Sequence, residues 1–226
     1  MAGSARVSAP AVDRQPPLWR DRRQAGEDLA AALTAWRGDP QAVVVGLPRG
    51  GVVVAAAVAA ALQLPLVSWA VRKLAHPQAP EVAVGAIAPG GVLLWDEPYL
   101  RQLHLEPQLR RELVGVQDRE LHRRQRLYGD PPPARLRGRT LLVVDDGIAT
   151  GLTVRAALLS LRQTQPAGLV LAVPVLDGRL VEKLSTLVDQ LVALAAVEGL
   201  QSVGRWYGSF EPVEDQQVLD LLQGFR

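Results

Sequence analysis

The stretch that most constrains the fold is TLLVVDDGIATGLT, residues 140–153. Five residues without a charge run directly into Asp145 and Asp146, and Gly147 and Gly151 then lead toward a helix-forming segment at about 153–163. An apolar run that does not alternate reads as a strand covered on both faces, which is the habit of parallel sheets. A second run at 42–45 ends in GLPRGG and precedes an Ala/Val stretch, 52–62, that is too long for a typical strand and reads as a buried helix. Strand, Gly-rich turn and helix open a βαβ unit. Strands at 66–71, 169–175 and 190–195, with a helix at 179–187, continue the alternation. The expected fold class is α/β, a mostly parallel sheet flanked by helices.

Other segments elaborate this frame. From Asp21, the spacing of Ala25, Leu29, Ala32, Leu33 and Trp36 predicts a helix stopped by Gly38 and Pro40. Segments 81–88 and 92–95 flank Pro89-Gly90-Gly91 as a hairpin. Residues 97–126 read as helix, with Leu109, Leu113, Val116 and Leu121 on one face. Residues 1–17, rich in Ser, Ala, Pro and scattered charge, are expected to be a disordered lead-in. The remainder, 18–226, is expected to form one domain, with a hood from about 18–38 and 196–226 and a helical insertion at about 97–130.

Composition removes several function classes. With 226 residues, 48% hydrophobic and 21% charged, the chain can build a real core. The absence of cysteine excludes disulfides, thiolate metal sites and cysteine nucleophiles. His76, His104 and His122 stand in no metal-ligand spacing. A net charge of +2 is too slight to announce a nucleic-acid binder. The arginines from Arg110 to Arg139 read as a solvated helix face laced with Glu112, Asp118 and Glu120. The longest apolar run is half a membrane span and no secretory leader is visible, so a cytoplasmic protein without membrane or nucleic-acid partners is expected.

Ligands of open α/β sheets bind beyond the carboxyl ends of the strands, so the two Gly-rich turns are the candidate site. In the turn after Val144, Gly147 and Gly151 let backbone approach a ligand, Thr150 and Thr153 supply hydroxyls, and the following helix N-terminus favours a phosphate. Two carboxylates beside a phosphate cradle suit a ligand with hydroxyls next to its phosphate, such as a ribose 5-phosphate. A VVDD strand end also occurs in response-regulator receivers, but there it lies near the N-terminus. A Walker B reading fails because no G-x-x-x-x-G-K-[ST] precedes it. The remaining alternative is a plain turn.

At these residues the sequence resembles the type I phosphoribosyltransferases, whose donor loop is an apolar strand, two acids, a short variable stretch and T-G-x-T. The resemblance implies that Asp145 and Asp146 hold the ribose 2- and 3-hydroxyls and that Ala149, Thr150, Gly151, Leu152 and Thr153 wrap the 5-phosphate, with Gly147 beside them. It continues in VGLPRGG, where this fold family binds pyrophosphate through backbone amides and a strained peptide, here with Arg49, Gly50 and Gly51. In VRKLAHP, Lys73 is expected to reach pyrophosphate, with Arg72 as the second cation. The segments DRRQAGEDLAAAL, PEVAVGAIAPGG and WYGSFEPVEDQQVLDLL are similar to a bacterial group of phosphoribosyltransferases of unestablished acceptor. By position the family's flexible catalytic loop falls at 75–81, without the extra lysines of several relatives.

The resemblance implies a type I phosphoribosyltransferase fold and a pentosyltransferase of nucleotide metabolism. It would carry phosphoribose from phosphoribosyl pyrophosphate to a nitrogen nucleophile, a nucleobase or related heterocycle. Asp145, Asp146 and Lys73 are its expected catalytic residues. Mg²⁺ would arrive with the donor, and Asp145 and Asp146 would reach it only through water or the ribose. Trp206 and Tyr207 are candidates for a stacking platform under the acceptor, with packing of the C-terminal helix as the equal alternative. A homodimer is compatible with this reading. The alternative function is a non-catalytic sensor of phosphoribosyl pyrophosphate on the same fold.

Overall fold

The computed structural model describes residues 4–7, 15–76, 79–103 and 106–225. In chain order the elements are β1 (Ser4–Val7), α1 (Arg22–Ala32), β2 (Ala42–Gly46), α2 (Gly50–Leu62), β3 (Leu66–Ser68), β4 (Arg72–His76), β5 (Ala79–Ala88) and β6 (Val92–Trp95), followed by α3 (Glu97–Leu103), α4 (Pro107–Tyr128), β7 (Thr140–Val144), α5 (Leu152–Arg162), β8 (Gly168–Asp177), α6 (Val181–Ser185), β9 (Gln190–Val197) and α7 (Asp215–Gln223). Six strands pair in the order β1-β9-β8-β7-β2-β3, every pair parallel. β4, β5 and β6 form a separate antiparallel sheet.

The unbroken apolar runs are explained by two cores, one on each face of the large sheet. Along β2, Val43 and Val45 enter one core while Ala42 and Val44 enter the other. Along β7, Leu141 and Val143 divide from Leu142 and Val144 in the same way. Side chains alternate with a period of two, so a strand covered on both sides needs apolar residues at every position. α5 and α6 cover the first face, and α1, α2 and α7 the second. α2 is apolar nearly all round because it lies between the sheet and α1.

Several expectations are adjusted. Within 1–17, read as a lead-in, Ser4–Val7 runs as an edge strand on β9. The single helix expected over 97–126 is two, with Pro107 opening the second at a position where its missing N–H costs nothing. α4 packs through Leu109, Leu113, Val114 and Leu121 on the small sheet, and Val116 is 51% exposed rather than on that face. The terminal segments 18–20 and 206–209 are joined by backbone hydrogen bonds. Leu18 and Trp19 N–H donate to the Trp206 carbonyl, Gly208 N–H to Trp19, and Ser209 N–H to Arg20. Among the described residues no helix is long and apolar enough to cross a membrane.

Candidate active site

β2 and β7 are neighbours, with Gly46 level with Val144 and Leu47 N–H donating to the Val144 carbonyl at 3.0 Å. Parallel pairing therefore brings the two Gly-rich turns, about a hundred residues apart in sequence, side by side on the carboxyl edge of the sheet. In the first turn the Pro48–Arg49 peptide is cis, and Gly50 and Gly51 begin α2 without a side-chain cap. Both glycines abut the acidic pair. A Cβ at Gly51 would stand 2.7 Å from Asp145 Oδ1, and one at Gly50 would fall on Asp146 Oδ2. These glycines permit the close approach of the two turns.

The second turn is stitched to β8 at its midpoint. Ile148 N–H donates to the Val175 carbonyl at 2.9 Å, and Asp177 N–H donates to Ile148 at 2.8 Å. Gly151 then takes φ +75°, a left-handed conformation in which other residues are strained, and caps α5 by backbone alone. A Cβ there would press on Leu180 at 3.1 Å, so conformation and packing both call for glycine at this position. The first-turn N–H groups of α5 have no side-chain cap, and an open cavity of about 370 Å³ adjoins the start of that helix. Asp145, Gly147, Ala149, Thr150, Gly151 and Thr153 line it, with Lys73 from β4 and with Gln201 and Val203.

The cavity separates residues that the sequence grouped. Asp145 lines it, but Asp146 does not. Asp146 Oδ2 is ion-paired to Arg22 Nε of α1 at 2.8 Å, both side chains being largely buried. Lys73 lines the cavity, whereas Arg72 donates to Gln117 of α4 at 2.9 Å on the other face of the strand. Arg49 extends toward Glu214 and Asp215 at the start of α7, at 3.7 and 3.8 Å. Leu152 is buried in the core. Tyr207, only 5% exposed, packs between Trp19 and Phe210, and its hydroxyl donates to the Asp146 carbonyl at 2.5 Å. Trp206 borders a different hollow beside Val197, Leu200 and Arg205. Of the 75–81 segment, 77–78 lie outside the described residues, and 75–76 and 79–81 belong to the β4–β5 pair.

Arg22, Gln201 and Val203 were not singled out by sequence. The signal for Arg22 was present in the similarity of the segment beginning at Asp21, but nothing local marks its role. Asp21 is visible locally, because it caps α1 by accepting from Gln24 N–H at 2.9 Å. Gln201 and Val203 sit in an irregular stretch after β9, where no periodicity assigns a direction.

Electrostatics divide the two acids. Burial raises the Asp145 carboxyl well above its usual range, and the neighbouring Asp146 charge raises it further. Burial also raises Asp146, but the Arg22 guanidinium opposes it there. Asp146 N–H donates to Asp145 Oδ1 at 2.9 Å, which locks the pair at the strand end. Chemically the cavity offers helix N–H donors for one anion, a carboxyl for hydroxyl donors, and an ammonium for a second anion.

Residues 21–194 match the sequence profile of the phosphoribosyl transferase domain. Two curated relatives from two strains of Mycobacterium tuberculosis carry names that assign them provisionally to phosphoribosyl transfer. Each is 40% identical over 211 residues, covering 91% of this chain and 46% of its own length, so the chain spans about half the length of these relatives. The crystal structure of the protein TT1426 from Thermus thermophilus is 38% identical, covers 92% of this chain and 98% of its own, and superposes with a TM-score of 0.71.

Proposed function

The chain belongs to the phosphoribosyl transferase domain family, and from that premise we propose that it transfers the 5-phosphoribosyl group of phosphoribosyl pyrophosphate to a nitrogen nucleophile, a nucleobase or related heterocycle, and releases pyrophosphate. The observation that carries the reading is the meeting of the two Gly-rich turns on neighbouring strands, with Asp145 and Lys73 lining one cavity at the second turn. The 5-phosphate takes the α5 N-terminus and the turn from Gly147 to Thr153, the ribose hydroxyls take Asp145, and Lys73 takes the pyrophosphate end. The C1–oxygen bond to pyrophosphate breaks, the C1–nitrogen bond forms, and the nitrogen's proton passes to solvent or pyrophosphate. No side-chain nucleophile is needed, because placement and charge stabilisation carry the step.

Among the described residues no three metal-ligating side chains cluster. This donor set fits a Mg²⁺ held mainly by the oxygens of the donor, with Asp145 the nearest protein carboxylate to the cavity. When bound with the donor, the ion neutralises charge on the pyrophosphate leaving group. Asp145 orients the ribose, and the backbone of the second turn holds the phosphate. The reading places the protein in nucleotide metabolism.

The test is a screen of purines, pyrimidines and related heterocycles with the donor and Mg²⁺, read by released pyrophosphate. Release with one class of base supports the transfer. Donor binding without release with any base would reassign the protein to donor sensing, and absence of donor binding would remove both readings.

A further inference from the structure

Arg22 reaches the site from a helix 124 residues upstream of its partner and is held on three sides. Its Nε contacts Asp146 Oδ2 at 2.8 Å, its Nη1 donates to the Glu211 carbonyl at 3.0 Å, and its guanidinium lies 3.6 Å over the Phe210 ring. A planar fork meets all three requirements at once, and an ammonium does not. Asp146 is likewise held, by Arg22 at its carboxylate, by Tyr207 at its carbonyl and by Asp145 at its N–H. α1, the C-terminal segment and the donor turn therefore converge on one ion pair.

We propose that Arg22 is a positioning residue for the donor site: by holding Asp146 it fixes the turn on which Asp145 and residues 147–153 meet the phosphoribosyl group. The proposal rests on the donor reading above. The groups facing Asp146 are Asp145 on its own turn, Arg22 from α1 and Tyr207 from the C-terminal segment, while α2 contributes Gly50, which carries no charge. Arg22 alone among these groups supplies a positive charge. Without it, two adjacent carboxyls share a buried turn, and Asp146 either takes up a proton or rotates toward the cavity. Each change disturbs the ribose end and leaves the Lys73 end alone.

The experiment compares wild type, Arg22→Gln, Arg22→Lys and Phe210→Leu. Calorimetry with ribose 5-phosphate and, separately, magnesium pyrophosphate is run between pH 6 and 9, and ¹³C-carboxyl NMR follows Asp146 in the ligand-free protein. Arg22→Gln is expected to bind ribose 5-phosphate at least tenfold more weakly, with pyrophosphate affinity within twofold of wild type, and its Asp146 carboxyl is expected to titrate at higher pH. Arg22→Lys should restore the titration more fully than the affinity, since it returns the charge without the fork. Unchanged ribose 5-phosphate affinity and unchanged titration in a folded Arg22→Gln protein would overturn the proposal. So would equal weakening of both ligands in step with a lowered Tm. If Arg22→Gln does not fold, Phe210→Leu decides: a smaller but selective loss of ribose 5-phosphate affinity supports the role, and no loss overturns it. If wild type binds neither ligand, the donor reading fails by itself. The Asp146 titration then settles whether Arg22 holds that carboxylate, a shift supporting it and no shift overturning it.

Discussion

Gly50 is packed so tightly against Asp146 that a β-carbon on it would fall on the carboxylate oxygen that Arg22 holds. The first turn of α2 thus forms one wall of the acidic pair. Because Asp146 is buried and paired, it cannot swing away without losing its cation. Gly50→Ala is expected to cost about 1–3 kcal/mol of stability, the usual range for overpacking. It should also weaken ribose 5-phosphate binding. Urea denaturation and calorimetry check both effects, and a Gly50→Ala protein of normal stability would mean that the wall yields.

The two acids should respond differently to substitution. Asp145 lines the cavity, so at a pH high enough to ionise its carboxyl Asp145→Asn should weaken ribose 5-phosphate binding by about 1.5–3 kcal/mol, the range of hydrogen bonds to charged groups. Its carboxyl pKa is raised in the folded state, so the stabilising contribution of its neutral form is present at acid pH and is lost as pH rises through the folded value. An Asn there cannot ionise, so the variant's Tm at pH 8 should equal or exceed that of wild type. Asp146→Ala removes the acceptor of a largely buried guanidinium and should instead cost about 1–3 kcal/mol of stability. Thermal melts at pH 6 and pH 8 distinguish the two variants.

A separate pH dependence belongs to Asp130. Its carboxylate accepts from Ser68 Oγ at 2.5 Å and from Ala70 N–H at 2.6 Å, closing the chain after β3, and burial pushes its pKa up to about 6. The neutral form is favoured on folding, so stability should fall as pH rises from about 4 through 6. The shift above the ordinary 3.8 corresponds to roughly 3 kcal/mol across that window. Asp130→Asn should flatten the dependence, because an amide does not titrate in that window. A wild-type profile level from pH 4 to 7 would reject the assignment.

Lys73 and Arg72 are adjacent but point to opposite sides of β4. Lys73→Ala should weaken pyrophosphate binding tenfold or more, because the residue lines the cavity. Arg72→Ala should lower Tm through the lost Gln117 contact while leaving pyrophosphate affinity within about twofold. Calorimetry and melting of the two variants check the pair, and a reversal would exchange their roles.

What the chain determined by itself is most of the elements and the two turns. β7 runs over Thr140–Val144 as its uncharged stretch predicts, α2 and α5 begin within two residues of their expected starts, and the β5–β6 hairpin turns at Pro89-Gly90-Gly91. These features depend on side-chain period and on the local chemistry of glycine and proline, which act over a few residues. Tertiary structure decided which way each side chain faces. Lys73 enters the cavity and Arg72 does not, because α4 covers the side of β4 that carries Arg72 and Leu74. Asp145 faces the cavity and Asp146 does not, because α1 carries Arg22 over the end of β7. Tyr207, expected as a stacking surface or as core, packs against Trp19 and Phe210 because residues 18–20 and 206–209 pair with each other. Such choices are made by segments far apart in the chain whose relative placement follows from burying two apolar faces at once, and no local pattern carries that information.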